Sequence, residues 1–308
     1  MISILLASFN GEKYIADQID SLLCQTFQDF KLYICDDCST DGTYHIATEY
    51  EKKHPERIYA SQNKENTGGA KHNFLQMMIE HKDDYVMLCD QDDVWIPDKI
   101  EITLVKMKET EHEFGTDTPI LVHTDLRVVS EKLEPISPSF KAAMNANYGK
   151  TKLRNQIIQN TLTGCTAMYN RALADLITDT PKFMVMHDWW LILTASAFGQ
   201  IASIDEQTVL YRQHGDNEIG AKDVRTLKYK IYKLRGYGDI KKALNDTYIQ
   251  AHSFLGVFRE KLTEEQNVLL RMYCDIPNHS KFIRVIKLFN LGVFKNGFAR
   301  KMAHFIYI

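Results

Sequence analysis

Asp90, Asp92 and Asp93 stand close together in "VMLCDQDDVW", where four mostly apolar residues run into three carboxylates, with Gln91 between the first two and Trp95 just beyond. Carboxylates two apart at a strand end direct oxygens toward one cavity, and a divalent cation there relieves their repulsion. Oxygen-only ligands suit a hard cation, Mg2+ or Mn2+, and such a cation neutralises a diphosphate. A helix cap ahead of "IPDKIEITLVKMKE", with Pro97 in its first turn, accounts for Asp92 or Asp93 singly, but not for Asp90 and Asp92 together. In "VMHDWWLILTASAF", Asp188 follows His187 and precedes Trp189 and Trp190 at the start of an apolar helical run. A carboxylate in that place can act as a general base, cap the helix, or do both. Cys35 and Cys38 form a CxxC with no second pair and two aspartates inside, too weak a pattern for zinc or redox chemistry.

These residues need elements to hold them. "ISILLAS", "FKLYICD", "RIYASQ", "YVMLCD" and "ILVHTDLRVV" read as strands bounded by turn residues. Between the first three, "EKYIADQIDSLLCQ" and "DGTYHIATEYEKKH" carry apolar residues at three- and four-residue spacing. Strand and helix in alternation predict an α/β fold with a largely parallel sheet, in which ligands sit outside the carboxyl ends of the strands. Those ends carry Ser8 and Asn10, then Asp36 and Asp37, then Asp90, Asp92 and Asp93. An Asx-type turn into the next helix also accounts for Asp36 and Asp37. After the third strand, "NTGGAKHNF" has Gly68 and Gly69 before a helix opening at Ala70 or Lys71, a start that can meet a phosphate or a sugar hydroxyl, although the Walker spacing is absent.

The whole chain narrows the classes. Its 308 residues are 44% hydrophobic and 25% charged, which suits one or two globular domains rather than disorder. Six scattered cysteines favour a reducing compartment, the N-terminus has no basic region before its short apolar run, and no stretch reaches the roughly 18 apolar residues of a membrane span. The net charge of −3 hides an asymmetry: residues 221–308 hold 17 of the 37 Lys and Arg but 7 of the 40 Asp and Glu. An acidic front and a basic tail place a boundary in "HGDNEIGAK", giving domains 1–217 and 218–308. In the tail, "RTLKYKIYKLRGYGDIKKAL" and "SKFIRVIKLFNLGVFKNGFARKMAHFIYI" alternate apolar and basic residues at helical spacing. Such helices suit an anionic membrane surface, a helical cap or an oligomer contact; no nucleic-acid module is recognisable.

"LLASFNGEKYIADQIDSLLCQTF", "YICDDCSTDGT", "NTGGAKHNF" and "VMLCDQDDVW" resemble, in order and spacing, the family 2 glycosyltransferases of GT-A fold, most of all their bacterial rhamnosyltransferase branch. The resemblance spans roughly residues 2–215. It implies a GT-A domain with a C-terminal helical region, and a nucleotide pocket of Ser8, Asn10, Asp36, Asp37, Gly69, Lys71, Asp90 and Gln91. Asp36 or Asp37 would accept the imide N–H of uracil or thymine, which cytosine lacks. Asp92 and His214, the latter in "LYRQHGDNEIG", would hold Mn2+ or Mg2+, and Asp188 would be the catalytic base. The family often has Glu then Asp where this chain has His187 then Asp188. Asp93, Trp95, Thr163, Gly164, His187, Trp189 and Arg212 would line the donor and acceptor sugars, with Asp125 beside them; indole faces suit sugar rings, while core packing is expected of at least one of Trp189 and Trp190.

The expected reaction is inverting, metal-dependent transfer of L-rhamnose from dTDP-β-L-rhamnose to a lipid-linked glycan at the cytoplasmic face of a bacterial membrane. A UDP-hexose or UDP-N-acetylhexosamine donor is the alternative within the class. Outside it, "DQDDV" also fits the DxDx[TV] shape of haloacid-dehalogenase-type phosphatases, and a non-catalytic nucleotide-sugar binder is a third reading. The expected partners are the donor, the glycan acceptor, a membrane surface and a second copy of the chain.

Overall fold

The computed structural model describes residues 1–214 and 237–308. The described chain divides into two compact units. One comprises Met1–Phe140, Leu162–Thr178 and 199–214; the other comprises Lys141–Thr161, Asp179–Phe198 and 237–308. The boundary expected between 217 and 218 lies outside the described residues.

The first unit is built on one sheet. Its strands are β1 (Ile2–Ser8), β2 (Phe30–Asp36), β3 (Ile58–Gln62), β4 (Tyr85–Asp90), β5 (Val94–Trp95), β6 (Ile120–Ser130), β7 (Pro135–Ser137), β8 (Ala167–Asn170) and β9 (Gln200–Gln213). They are ordered β3-β2-β1-β4-β8-β6-β9-β5, with β7 paired to β6. β1 pairs in parallel with β2 and β4, β2 with β3, and β6 with β9; β8 is antiparallel to both its neighbours, and β5 to β9. Every residue of β1 is buried, which is why "ISILLAS" shows no polar alternation.

The longer helices that follow strands in this unit are α1 (Ile15–Leu23), α2 (Thr43–Lys53), α3 (Ala70–Glu80) and α4 (Lys99–Phe114). In α1, Ile15, Ile19 and Leu22 make one buried stripe and join the core with Ile4, Leu6, Leu32, Ile34, Met87 and Cys89. The register that aligns Ser8 with Asp36 and Ala7 with Asp90 sets three strand ends side by side.

The second unit is helical. Its long helix Tyr237–Phe258 precedes Glu264–Cys274, which is closed at its start by a reciprocal Thr263–Gln266 cap. The segment ahead of the helix His187–Phe198 is tied to the long helix: Val185 N donates to Gln250 Oε1 at 2.8 Å and Phe183 N to Ser253 Oγ at 3.1 Å. Trp190 is buried with its ring centroid 5.2 Å from Phe254, and Gln266 Nε2 donates to the Ala197 carbonyl at 2.7 Å. These contacts explain why 179–198, read from sequence as part of the front domain, group with the C-terminal helices.

Candidate active site

The strand ends of the first unit are cross-braced. Gln91 locks β1 to β4: its Oε1 accepts from Phe9 N and its Nε2 donates to Phe9 O, both at 2.9 Å. Gly11 leaves room for this amide, since a Cβ there would stand 2.1 Å from Gln91 Oε1 and displace it. Asn10, exposed and with a φ of 47°, accepts from Thr40 N at 2.8 Å, while its own N–H donates to Ser39 Oγ at 2.8 Å.

Asp36 and Asp37 are both buried. Asp36 accepts from Ser8 Oγ, Ser39 N, Ser39 Oγ and Gln62 Nε2 at 2.5–3.2 Å. Asp37 accepts from Asn63 Nδ2, Thr67 N and Thr67 Oγ1 at 2.8–2.9 Å. Asp36 thus ties the ends of β1 and β3 to the loop after β2, and Asp37 fixes the loop leading to Gly68 and Gly69. Those two glycines have φ of 89° and 125°, backbone that favours glycine, and they bring the chain to the start of α3, where Lys71 is half-buried.

Asp92 and His214 meet: His214 Nε2 lies 2.8 Å from Asp92 Oδ2, and the imidazole stacks on Tyr14 with centroids 4.6 Å apart. The short strand β5 produces this encounter, since Val94 pairs with Leu210 and Trp95 with Val209. Neither Asp92 nor Asp93 caps α4, whose N-cap is Asp98.

Asp93 turns inward, fully buried, and accepts from Arg212 N at 3.0 Å. Burial first, then the Asp92 and Asp90 carboxylates, raises its pKa well above the usual carboxylate range. Lys99, also fully buried, lies 4.5 Å from the Trp95 ring centroid, and burial lowers its pKa to about 8. Trp95 itself belongs to the hydrophobic core, with no face left for a sugar ring, and Asp93 is equally out of reach. Both expectations of sugar contact are corrected, because Trp95 on β5 packs into the hydrophobic core and Asp93 just before it is buried against the Arg212 N–H.

Arg212 is corrected too. Its Nε donates to Asp92 O at 2.9 Å, one terminal nitrogen donates to Glu131 O at 2.8 Å, and the other pairs with Asp17 Oδ2 at 3.0 Å. The guanidinium, buried and 5.0 Å over the Tyr14 ring, is a clamp on the acidic loop rather than a sugar contact.

Two donor sets are available for a cation. Asp90, Asp93 and Cys165 bring one ligand atom each to within 4.8 Å of one another. Burial raises the Cys165 thiol well above its usual pKa, so this set would have to ionise a protonated thiol and a neutral-leaning carboxyl inside the core. Asp92 and His214, with Asp90 nearby in sequence at the strand end, supply oxygen and imidazole donors that suit Mn2+ or Mg2+. Thr163 is half-buried and Gly164 buried, in the 3-10 turn Gly164–Thr166 ahead of β8. Asp125 is buried, and accepts from Ser139 Oγ at 2.5 Å.

The second unit holds the remaining expected residues. Asp188 is buried in the first turn of His187–Phe198, inside the helix and not at its N-cap. His187 beside it is buried, and desolvation lowers its pKa to about 3, so it is a neutral imidazole at physiological pH. Trp189 is half-buried and donates Nε1–H to Gln156 O at 2.6 Å, whereas Trp190 is core, as expected of one of the pair.

A mixed sheet flanked by helices, parallel from β3 through β4 and with acidic residues at the carboxyl ends of β2 and β4, defines a GT-A domain followed by C-terminal helices. The chain belongs to glycosyl transferase family 2, whose model matches residues 3–177. The dTDP-rhamnosyl transferase RfbG of Shigella flexneri is 27% identical over 239 residues, 73% of this chain and 77% of that protein. A putative teichuronic acid biosynthesis glycosyltransferase, TuaG of Bacillus subtilis (strain 168), is 30% identical over 201 residues, 64% of this chain and 73% of that one. Among solved structures, S. aureus TarS 1-349 in complex with UDP-GlcNAc superposes with a TM-score of 0.60 at 17% identity, covering 94% of this chain and 72% of that one. The mannosyltransferase PcManGT from Pyrobaculum calidifontis, solved with GDP-Man and Mn2+, gives 0.53 at 13% identity over 95% and 92%.

Proposed function

We propose that the chain is an inverting, metal-dependent rhamnosyltransferase, moving L-rhamnose from dTDP-β-L-rhamnose to a hydroxyl of a lipid-linked polysaccharide precursor at the cytoplasmic face of a bacterial membrane. The observation that carries the metal-dependent chemistry is the 2.8 Å approach of His214 to Asp92 at the carboxyl edge of the sheet. The likeness to RfbG supports the choice of donor. Asp92 and His214 would hold Mn2+ or Mg2+, which when bound neutralises charge on the diphosphate. The loops after β1, β2, β3 and β4, with Ser8, Asn10, Asp36, Asp37, Gly69, Lys71, Asp90 and Gln91, would shape the nucleotide pocket; Thr163, Gly164 and Trp189 are the proposed sugar-side residues.

Asp188 takes the proton of the acceptor hydroxyl as that oxygen bonds to the anomeric carbon. The bond from that carbon to the diphosphate breaks, and dTDP leaves with the electron pair. One displacement from the β-donor gives an α-rhamnoside. A UDP-sugar donor is the second reading, favoured by the likeness to TuaG, which is named for teichuronic acid rather than for rhamnose.

The test is calorimetric binding of dTDP-rhamnose, UDP-glucose and UDP-N-acetylglucosamine, with and without Mn2+, to wild type and Asp92→Ala. Binding of the rhamnose donor alone, dependent on Mn2+ and lost in the variant, is the expected result. Preference for a UDP-sugar overturns the rhamnose assignment, and metal-independent binding overturns the role of Asp92.

A further inference from the structure

The last two helices of the second unit leave large apolar side chains uncovered. On Lys281–Leu291, Phe282 (75% exposed), Ile286 and Phe289 (56%) recur at four- and three-residue steps; on Phe298–Tyr307, Phe298 (82%), Met302 and Ile306 (58%) recur every fourth residue. The two stripes adjoin: the Phe289 and Phe305 rings stack with centroids 5.3 Å apart, and Lys281 Nζ donates to the Ile306 carbonyl at 2.8 Å. No helix among the described residues is long and apolar enough to cross a membrane.

Charge selects the occupant. From Ile276 to Ile308 the sequence has no Asp or Glu, while Lys281, Arg284, Lys287, Lys295, Arg300 and Lys301 are interleaved with the apolar residues. Several of these cations have their stems laid along the fold: Lys301 lies 4.2 Å over the Phe294 ring, and Lys287 reaches Asp275 at 2.6 Å. Two copies docked face to face would bring two like-charged sets together, with no Asp or Glu in 276–308 of either copy to pair across the contact. A surface of anionic headgroups over an apolar interior matches both features, since headgroups neutralise the cations as Phe and Ile side chains enter the acyl boundary.

We propose that Phe282, Ile286, Phe289, Phe298, Met302 and Ile306, with their basic neighbours, form the face that docks this chain on an anionic bilayer. The docking deepens the membrane-side placement in the proposed function, and its test needs no donor, so its failure leaves the transferase reading intact.

Co-sedimentation of the full chain with vesicles of phosphatidylcholine mixed with phosphatidylglycerol, whose anionic headgroups attract Lys and Arg, against pure phosphatidylcholine tests it. The expected result is binding to the anionic vesicles only, weakened at high salt, and reduced at least tenfold in both Phe282→Ser/Phe298→Ser and Lys281→Glu/Lys301→Glu. All substituted side chains lie at or near the surface, and unchanged thermal melts verify the folds. Equal binding to both vesicle types, no binding to either, or anionic binding that survives both variants overturns the proposal. Sedimentation velocity adds a further contrary outcome: a dimer dissolved by Phe282→Ser/Phe298→Ser, with no vesicle binding, assigns the face to a second copy.

Discussion

Arg212 holds the acidic loop by its backbone: its Nε bonds the carbonyl of Asp92 while its own N–H bonds the carboxyl of Asp93. One residue near the end of β9 therefore fixes both the candidate metal ligand and its buried neighbour. Arg212→Lys keeps the charge but loses the fork that reaches Asp92, Glu131 and Asp17 at once. Because Asp17 is largely exposed, the ion pair itself adds little; the lost carbonyl bonds cost about 1–3 kcal/mol. The expected result is a lower denaturation midpoint with weaker Mn2+-dependent nucleotide binding, measured by urea melts and calorimetry.

The Asp92–His214 contact predicts a shared ligand role. His214→Ala is expected to weaken Mn2+ binding in the presence of dTDP by at least the roughly 10–100-fold typical of residues that orient metal ligands. Mn2+ electron paramagnetic resonance reads this directly. Unchanged affinity would remove His214 from the site.

Gly11 and Gln91 form a steric lock. Gly11→Ala forces the Gln91 amide from its two bonds to Phe9, with an expected loss of about 1–3 kcal/mol. In Gly11→Ala/Gln91→Ala the clash is gone, so the double variant is expected to lose less than the sum of the two single losses. Chemical denaturation of the four proteins makes the double-mutant cycle, and strict additivity would rule the lock out.

Much of this was legible in the sequence. The first four strands and the helices after β1 and β2 follow from uninterrupted apolar runs and three-four spacing, and the pairing of Asp92 with His214 follows from the family motifs. Other features had no local signal. β9 includes the polar run "SIDEQT", and its strand character comes from pairing with β6, a tertiary fact. Trp95 reads as a sugar platform beside the aspartates, but β5 turns it into the core. Arg212 reads as a sugar-side residue because a sequence does not show which carbonyls a guanidinium will meet. The same holds for the intramolecular donors that surround Asp36 and Asp37.

Acid sensitivity follows from two buried histidines of the second unit. Burial lowers His187 to about 3 and His304 to about 4, from an ordinary value of 6.5. Between 6.5 and those values the unfolded chain binds more protons than the folded one, so stability is full above pH 6.5 and falls as pH drops through that window. Each histidine adds a slope approaching about 1.4 kcal/mol per pH unit. Thermal melts from pH 4 to 7.5 are expected to show a shallower decline in His187→Phe/His304→Leu; an unchanged slope would contradict the assignment.

Group transfer with Asp188 as base is tested most directly by turnover of dTDP-rhamnose to dTDP in Asp188→Asn, beside calorimetric donor binding by the same variant. Asparagine keeps the size of the buried side chain and removes its basicity. Donor affinity is expected to stay within about threefold of wild type, a free-energy change well under 1.4 kcal/mol, and turnover to fall by about 10²–10⁴. Wild-type turnover in Asp188→Asn would contradict it.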